Sequence, residues 1–310
     1  MAAPLAGLSA VIVSWNVLPL LRECLDSLLP QLRPGDEALV VDNASQDGTE
    51  AAVATDYPQV QLIQAGSNLG FCGGVNLGLS RARGSLLLIL NPDTRLAPGA
   101  VEAMRRLPER DASVAVVGPR LVDAEGSIQP SRRRFPTVGT LFVESTPAQR
   151  LPLLDRIPRR FRLEDRSDAH VQGVDWVGGA CFLLRREALQ EVGGLDGTFF
   201  MYSEEVDLCR RLGQLGWEAV FEPAAEVVHH EGKSSEQVPA ARLVRFNRSK
   251  VLYAEKHFSR GVAEALRLYL LGTFAWEMGL EGIKLALGHR RDLRRERLGL
   301  YRQALASGLR

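Results

Sequence analysis

The hydrophobic pattern divides the first part of the chain into a regular alternation. Leu8–Ser14 is a short apolar run that ends at Trp15-Asn16, and Leu18–Leu29 follows with apolar residues at Leu21, Leu25, Leu28 and Leu29. The first stretch reads as a strand, the second as a helix with one apolar face. Pro30 and Pro34-Gly35 close that helix. Ala38–Val41 and Val60–Gln64 read as the next two strands, with the polar loop Asp42-Asn43-Ala44-Ser45-Gln46-Asp47-Gly48-Thr49 after the first of them. A helix is expected from about Val75 to Arg83. Leu86–Leu90 follows, five apolar residues in a row stopped by Asn91-Pro92-Asp93-Thr94. Such a run, bounded by turn residues, fits a strand covered on both faces. A helix over Gly99–Leu107 leads to a strand at Val114–Val117. Strands alternating with helices predict an α/β fold, a mostly parallel sheet with helices on both faces.

The alternation lapses from Asp123 to Val171. Prolines recur there at 130, 136, 147, 152 and 158, beside Arg132-Arg133-Arg134 and a cluster of Arg156, Arg159, Arg160 and Arg162. These arginines read either as a solvated surface loop or as a contact for an anionic acceptor. Order returns at Val174–Arg185. A helix then starts at Glu204-Glu205-Val206-Asp207, with Leu208, Leu212 and Leu215 as its core stripe, and Ala219–Glu222 is a further strand before His229. Acids in a first turn complement the helix dipole, or supply a general base. Leu266–Leu287 is largely apolar but carries Glu277, Glu281 and Lys284, too interrupted for a transmembrane span. The tail His289–Arg310 has seven arginines against Asp292 and Glu296. Two readings stand for this end, an amphipathic segment on an anionic membrane surface and helices packed on the domain or on a second subunit.

Composition narrows the function classes. A formal net charge of +1 argues against a general nucleic-acid binder, and no nucleic acid is expected as a partner. Cys24, Cys72, Cys181 and Cys209 are scattered without a CxxC, so they read as buried small hydrophobes. The N-terminal residues lack a positive region ahead of their short apolar run and read as the first strand, not a signal peptide. Polar residues collect after the first four strands, on one rim of a parallel sheet, where ligands of open α/β sheets bind. Asp93 on that rim is placed to hold a hard cation and through it a diphosphate. The alternative is a plain turn in which Asp93 caps the helix from about Pro98. Gly73-Gly74 does not complete a GxGxxG fingerprint, and it serves either phosphate approach or helix packing.

Several segments in order resemble the family 2 glycosyltransferases, in particular their rhamnosyltransferase-like branch. They are Ile12–Asn16, Val41–Thr49, Asn68-Leu69-Gly70-Phe71 with Asn76-Leu77-Gly78, Leu90-Asn91-Pro92-Asp93, Gly178–Cys181, Gly193-Gly194-Leu195-Asp196 with Phe199–Tyr202, Glu204–Arg211, and His229 with Gly232 and Ser234. The similarity runs from about Leu8 to Phe258. It implies a Rossmann-like GT-A domain over residues 1–258, with an insertion at about 123–171; residues 259–310 lie beyond it and read as a helical C-terminal extension. It implies inverting transfer of a sugar, rhamnose by analogy, from a nucleotide-diphospho-sugar to a hydroxyl of a glycan or lipid-linked acceptor. Ser14, Asn16, Asp42, Asn68, Asn76, Asn91 and Asp93 would line the donor site. Mg2+ or Mn2+ would sit at Asp93 and His229, although Asn91 replaces the first acid of the family's DxD-type site. Glu205 stands where the family has its catalytic Asp, with Asp207 and Glu204 as the other candidates. Val262 onward lies outside the resemblance; the apolar stretch and basic tail there leave a cytoplasmic protein, peripheral on the membrane surface or paired as a homodimer through its C-terminal helices, as the expectation. A nucleotidyltransferase and a catalytically weak scaffold on the same fold are the competing readings.

Overall fold

The computed structural model describes residues 7–230 and 237–310. The chain begins with β1 (Leu8–Ser14), α1 (Leu18–Leu28), β2 (Glu37–Asp42), α2 (Thr49–Asp56), β3 (Gln61–Gln64), α3 (Gly70–Leu79), β4 (Leu86–Leu90), β5 (Thr94–Leu96), α4 (Ala100–Arg110) and β6 (Val114–Val122). Short elements follow: β7 (Ile128–Gln129), β8 (Arg132–Arg133), α5 (Val138–Val143), α6 (Arg156–Phe161), β9 (Gln172–Val174) and β10 (Trp176–Val177). Then come β11 (Cys181–Arg185), α7 (Arg186–Val192), α8 (Glu204–Gln214) and β12 (Glu218–His229), and last α9 (Pro239–His257), α10 (Arg260–Ala286) and α11 (Arg291–Ser307). Two compact units result. One holds the chain up to Phe135, Arg162–Phe200 and the stretch from Glu204 through β12; the other holds Pro136–Phe161, Met201–Ser203 and the C-terminal helices.

The first unit is built on one sheet of order β3-β2-β1-β4-β11-β6-β12-β5. β1 runs parallel to β2 and β4, and β2 parallel to β3, as the alternation predicts. Beyond β4 the sheet is mixed. β11 lies antiparallel between β4 and β6, and β5 pairs antiparallel with β12. A parallel neighbour needs a crossover connection. β11 is reached instead through the irregular 123–171 stretch, so nothing obliges it to enter in the same direction. Leu8, Ile12, Leu88 and Leu90 meet Leu21, Leu25 and Leu28 of α1 in the main core.

Several sequence expectations shift. α3 starts at Gly70, not at Val75, because Gly74 and Gly78 let the helix lie directly on β1. A Cβ on Gly74 would stand 2.6 Å from Val13 Cγ1, and one on Gly78 would collide with Val11 Cγ1. For Gly74, packing is therefore sufficient explanation. Asp93 is not a helix cap, because the turn runs into β5 and α4 begins after Gly99 at φ 82°. β12 continues past Glu222 to His229 through a bulge between Glu222 and Glu226 that contains Pro223, so His229 is a strand residue. Leu208 and Leu212 are buried under α8, but Leu215 lies past its end and is exposed. All four cysteines are buried free thiols.

In the second unit, Glu281 of α10 is buried and accepts hydrogen bonds from Lys284 at 2.9 Å and from Arg294 of α11 at 2.6 Å. Lys250 of α9 donates to the Glu144 carbonyl at the end of α5, 2.6 Å away. Burial pulls the Lys250 ammonium down to about 8. Among the described residues no helix is long and apolar enough to cross a membrane.

Candidate active site

The parallel strands deliver their C-terminal ends to one rim. Ser14 and Asp42 are register partners there, and Ile12 pairs with Leu90, the residue before the Asn91 turn. Ser14 Oγ and Asn43 Oδ1 are buried without a hydrogen-bond partner among the described residues. Unpaired buried polar atoms are costly, so a cluster of them marks a place where a polar ligand is accommodated. Asn16 joins the two loops. Its Oδ1 accepts from the Gln46 N–H at 2.7 Å, and its own N–H donates to Ser45 Oγ at 3.0 Å. Asn16 (φ 53°) and Ala44 (φ 63°) both adopt left-handed backbone, a conformation that costs energy for Ala and recurs at binding rims. Asp42 accepts from the Ser45 N–H at 3.1 Å. Asn43 Nδ2 donates to the Gly70 carbonyl at 2.9 Å, and Asn68 Oδ1 accepts from the Gly70 N–H at 3.0 Å, so both set the start of α3. Asn76 is engaged elsewhere on α3. Its amide exchanges hydrogen bonds with the Leu195 backbone, at 2.8 Å to the carbonyl and 3.2 Å from the N–H.

Asp93 and His229, far apart in sequence, meet because Thr94 of β5 pairs with His229 of β12. His229 Nε2 lies 3.5 Å from Asp93 Oδ1, which is buried and makes no hydrogen bond among the described residues. The Gln129 amide is oriented by donating from Nε2 to the His229 carbonyl at 2.9 Å, which turns its Oε1 to His229 Nδ1, also at 2.9 Å. When the ring is neutral, that geometry places its proton on Nδ1 and turns Nε2 toward the carboxylate. Two acceptors face to face fit a shared cation. No cluster of three or more His, Cys, Asp or Glu that could hold a metal occurs among the described residues. A cation held there would take its remaining oxygen ligands from water and a bound diphosphate.

The acidic turn stands across one short loop. Asn91 N–H donates to the Ala180 carbonyl at 2.8 Å, and the neighbouring Gly179 would place a Cβ 3.3 Å from the Glu205 carboxylate. A larger residue at Gly179 would press on that carboxylate. Glu204 is buried, and burial followed by the charge of Glu205 raises its proton affinity well above the ordinary carboxylate range. Burial also raises Glu205, against hydrogen bonds from backbone N–H groups including that of Gly179 and against the charge of Arg133. The Oε2 atoms of both glutamates lack hydrogen-bond partners among the described residues. Asp207 is different. It is fully buried and accepts from Arg211 Nε at 2.8 Å, and Arg211 also donates to the carbonyls of Val192 and Gly194 at 2.9 Å each.

A family model for glycosyl transferase family 2 matches residues 9–206. The chain belongs to that family. An N-acetylglucosaminyl-diphospho-decaprenol L-rhamnosyltransferase of Mycobacterium tuberculosis (strain ATCC 25618 / H37Rv) is 33% identical over 282 residues, 86% of this chain and 90% of the relative. A low-salt glycan biosynthesis hexosyltransferase of Haloferax volcanii is 26% identical over 67% of the chain and 62% of its own length. Among solved structures, a mannosyltransferase of Pyrobaculum calidifontis in complex with GDP-Man and Mn2+ superposes with a TM-score of 0.58 at 18% identity, covering 97% of this chain and 86% of that one. The protein is a glycosyltransferase of rhamnosyltransferase-like sequence with the GT-A fold. Nucleotidyl transfer falls away as a reading.

Of the residues picked from the sequence of this family 2 glycosyltransferase, Ser14, Asn16 and Asp42 collect at the rim after β1 and β2, and Asp93 and His229 form a pair. Asn68 and Asn76 hold backbone. Gly232 and Ser234 lie outside the described residues. The arginine triplet divides. Arg134 pairs with Asp165 at 2.9 Å, Arg132 lies over the Phe221 ring, and Arg133 lies over Trp176 while its charge bears on Glu205. Gln129 escaped the sequence because it sits on a two-residue strand inside an irregular stretch, where no periodicity points to it.

Proposed function

We propose that this glycosyltransferase moves a sugar, rhamnose by likeness to the mycobacterial relative, from a nucleotide-diphospho-sugar to a hydroxyl of a lipid-linked acceptor, with inversion at the anomeric carbon. The observation that carries the reading is the buried Asp93 carboxylate facing His229 Nε2 on the sheet rim, one loop away from Glu205. The nucleoside end of the donor lies on Asp42 and on the Asn16-braced loops, where buried polar atoms await partners. Asp93 and His229 would hold Mg2+ or Mn2+, which when bound offsets the charge that grows on the departing diphosphate. Gln129 keeps the His229 ring in the tautomer that presents Nε2 to that position.

Glu205 takes the proton of the acceptor hydroxyl. The freed oxygen attacks the anomeric carbon from the face opposite the diphosphate, the carbon–oxygen bond to the diphosphate breaks, and the nucleoside diphosphate departs with the electron pair. A single displacement needs no covalent enzyme intermediate. Positioned general-base catalysis contributes roughly 10²–10⁴-fold. The raised proton affinity of Glu205 brings it nearer the operating pH, as a base requires. Arg211 occupies Asp207, which positions the helix and does not reach the acceptor.

Calorimetric titration of nucleoside diphosphate with and without Mn2+ tests the donor site. Asp93→Asn should lose the Mn2+-dependent part of the binding while its thermal unfolding stays within about a degree or two of wild type, because the change is isosteric. Undiminished Mn2+-dependent binding in the variant would remove Asp93 from the cation site.

A further inference from the structure

The outer face of α10 is apolar along most of its length. Every position from Ala265 to Leu287 that is exposed carries an apolar side chain or glycine. Leu268, Trp276, Ile283 and Leu287 are 56%, 66%, 60% and 79% exposed, with Gly272 and Gly279 between them. At a helical turn of 100° per residue these positions fall within one stripe roughly 33 Å long. The charged residues of the segment point elsewhere. Glu281 is buried, and the Lys284 side chain is 44% exposed but pairs with it at 2.9 Å. Glu277 is half-buried with its charge bearing on Tyr301, and the Arg267 side chain is 12% exposed and bonded to the Gly308 carbonyl at 3.0 Å. A helix that is apolar on its inner and outer sides is covered on both.

Charge decides between the candidates for that cover. The helical unit carries nineteen Lys and Arg against nine Asp and Glu, whereas the catalytic unit carries nineteen against twenty-eight. The near-neutral whole hides a strongly basic part. The 136–161 segment of the same unit exposes Leu151 and Leu153 among Arg150, Arg156, Arg159 and Arg160. A second copy would bring like charge against like charge. An anionic bilayer brings opposite charge and an apolar layer together. Spanning is excluded for α10 by its hydropathy. We propose that the outer face of α10 lies in the interfacial layer of an anionic membrane, with Trp276 seated at headgroup depth and the arginines of the unit on the lipid phosphates. This rests on the helical unit alone and stands apart from the donor chemistry.

The test is co-sedimentation of the full-length protein with vesicles of phosphatidylcholine, alone or mixed with phosphatidylglycerol. The wild type should bind the mixed vesicles, prefer them to the zwitterionic ones, and lose binding as salt rises. Trp276→Glu with Ile283→Glu should weaken binding at least about tenfold, since both side chains leave the apolar layer. Its thermal midpoint and elution volume should not change. If that double variant is unfolded, Leu268→Gln makes the same comparison with a milder change. Turnover on a water-soluble acceptor should be equal in wild type and variant, and this separates failure of docking from failure of the transfer reading. Absence of lipid preference, or a variant that binds like the wild type, overturns the proposal. So does a wild-type dimer that the variant converts to monomer without loss of vesicle binding, because a second copy would then be the cover.

Discussion

Three acids within four residues of one helix start have separate fates. Asp207 is tied to Arg211, Glu204 is buried beside Glu205, and Glu205 faces the Gly179 loop. Glu205→Gln keeps the shape and removes the proton acceptor, so folding and donor binding should survive while kcat falls roughly 10²-fold or more. The base works only when ionised, so activity should rise with pH through its proton affinity. That acid limb should lie above the ordinary glutamate value of 4.5, because burial raises Glu205, and Glu205→Gln should flatten it. Asp207→Asn should act on stability instead, costing on the order of 3 kcal/mol by stripping a buried partner from Arg211. Full activity in Glu205→Gln beside a dead but stable Asp207→Asn would exchange the two roles. Residue type and place after a strand were enough to single out Asp93 from the sequence, whereas His229 entered only through the family resemblance, a lone histidine there reading as surface or core. Their meeting was not legible, because it depends on the three-residue β5 pairing with the far end of β12.

Elements were legible where burial is complete. Leu86–Leu90 reads as a strand and is one to the residue, with all five positions buried. α3 was legible only from its middle, because glycine is a poor helix former by itself and only the sheet beneath explains why the helix continues through Gly73-Gly74. The same glycines make a paired prediction. Gly78→Ala drives a methyl into Val11 and should lower stability by about 1–3 kcal/mol, whereas Gly272→Ala on α10 meets nothing within 4 Å and should be neutral or stabilising by up to about 1 kcal/mol. Thermal or denaturant unfolding of the two variants checks this. Equal stability of both would mean that α3 does not lie as closely on β1 as described. The direction of β11 and the true length of β12 were hidden for a different reason. Strand direction leaves no trace in a five-residue apolar run, and the bulge around Pro223 interrupts the period-2 pattern.

At the scale of the molecule, the sequence reads as one family domain with a helical end, while the fold divides into an acidic catalytic unit and a basic helical one. Composition of the whole chain averages this away, because a net charge of +1 is the sum of two large opposite terms. The 123–171 stretch looked like one loop and is shared between the units, its middle belonging with the C-terminal helices. The central claim is that the rim of the catalytic unit transfers a sugar by single displacement. Nuclear magnetic resonance of the product, formed from a nucleotide-diphospho-rhamnose of known anomeric configuration in the presence of Mn2+, tests it most directly. The prediction is a glycoside of the opposite configuration, formed with release of one nucleoside diphosphate per linkage. A product of retained configuration, or release of nucleoside monophosphate, would contradict it.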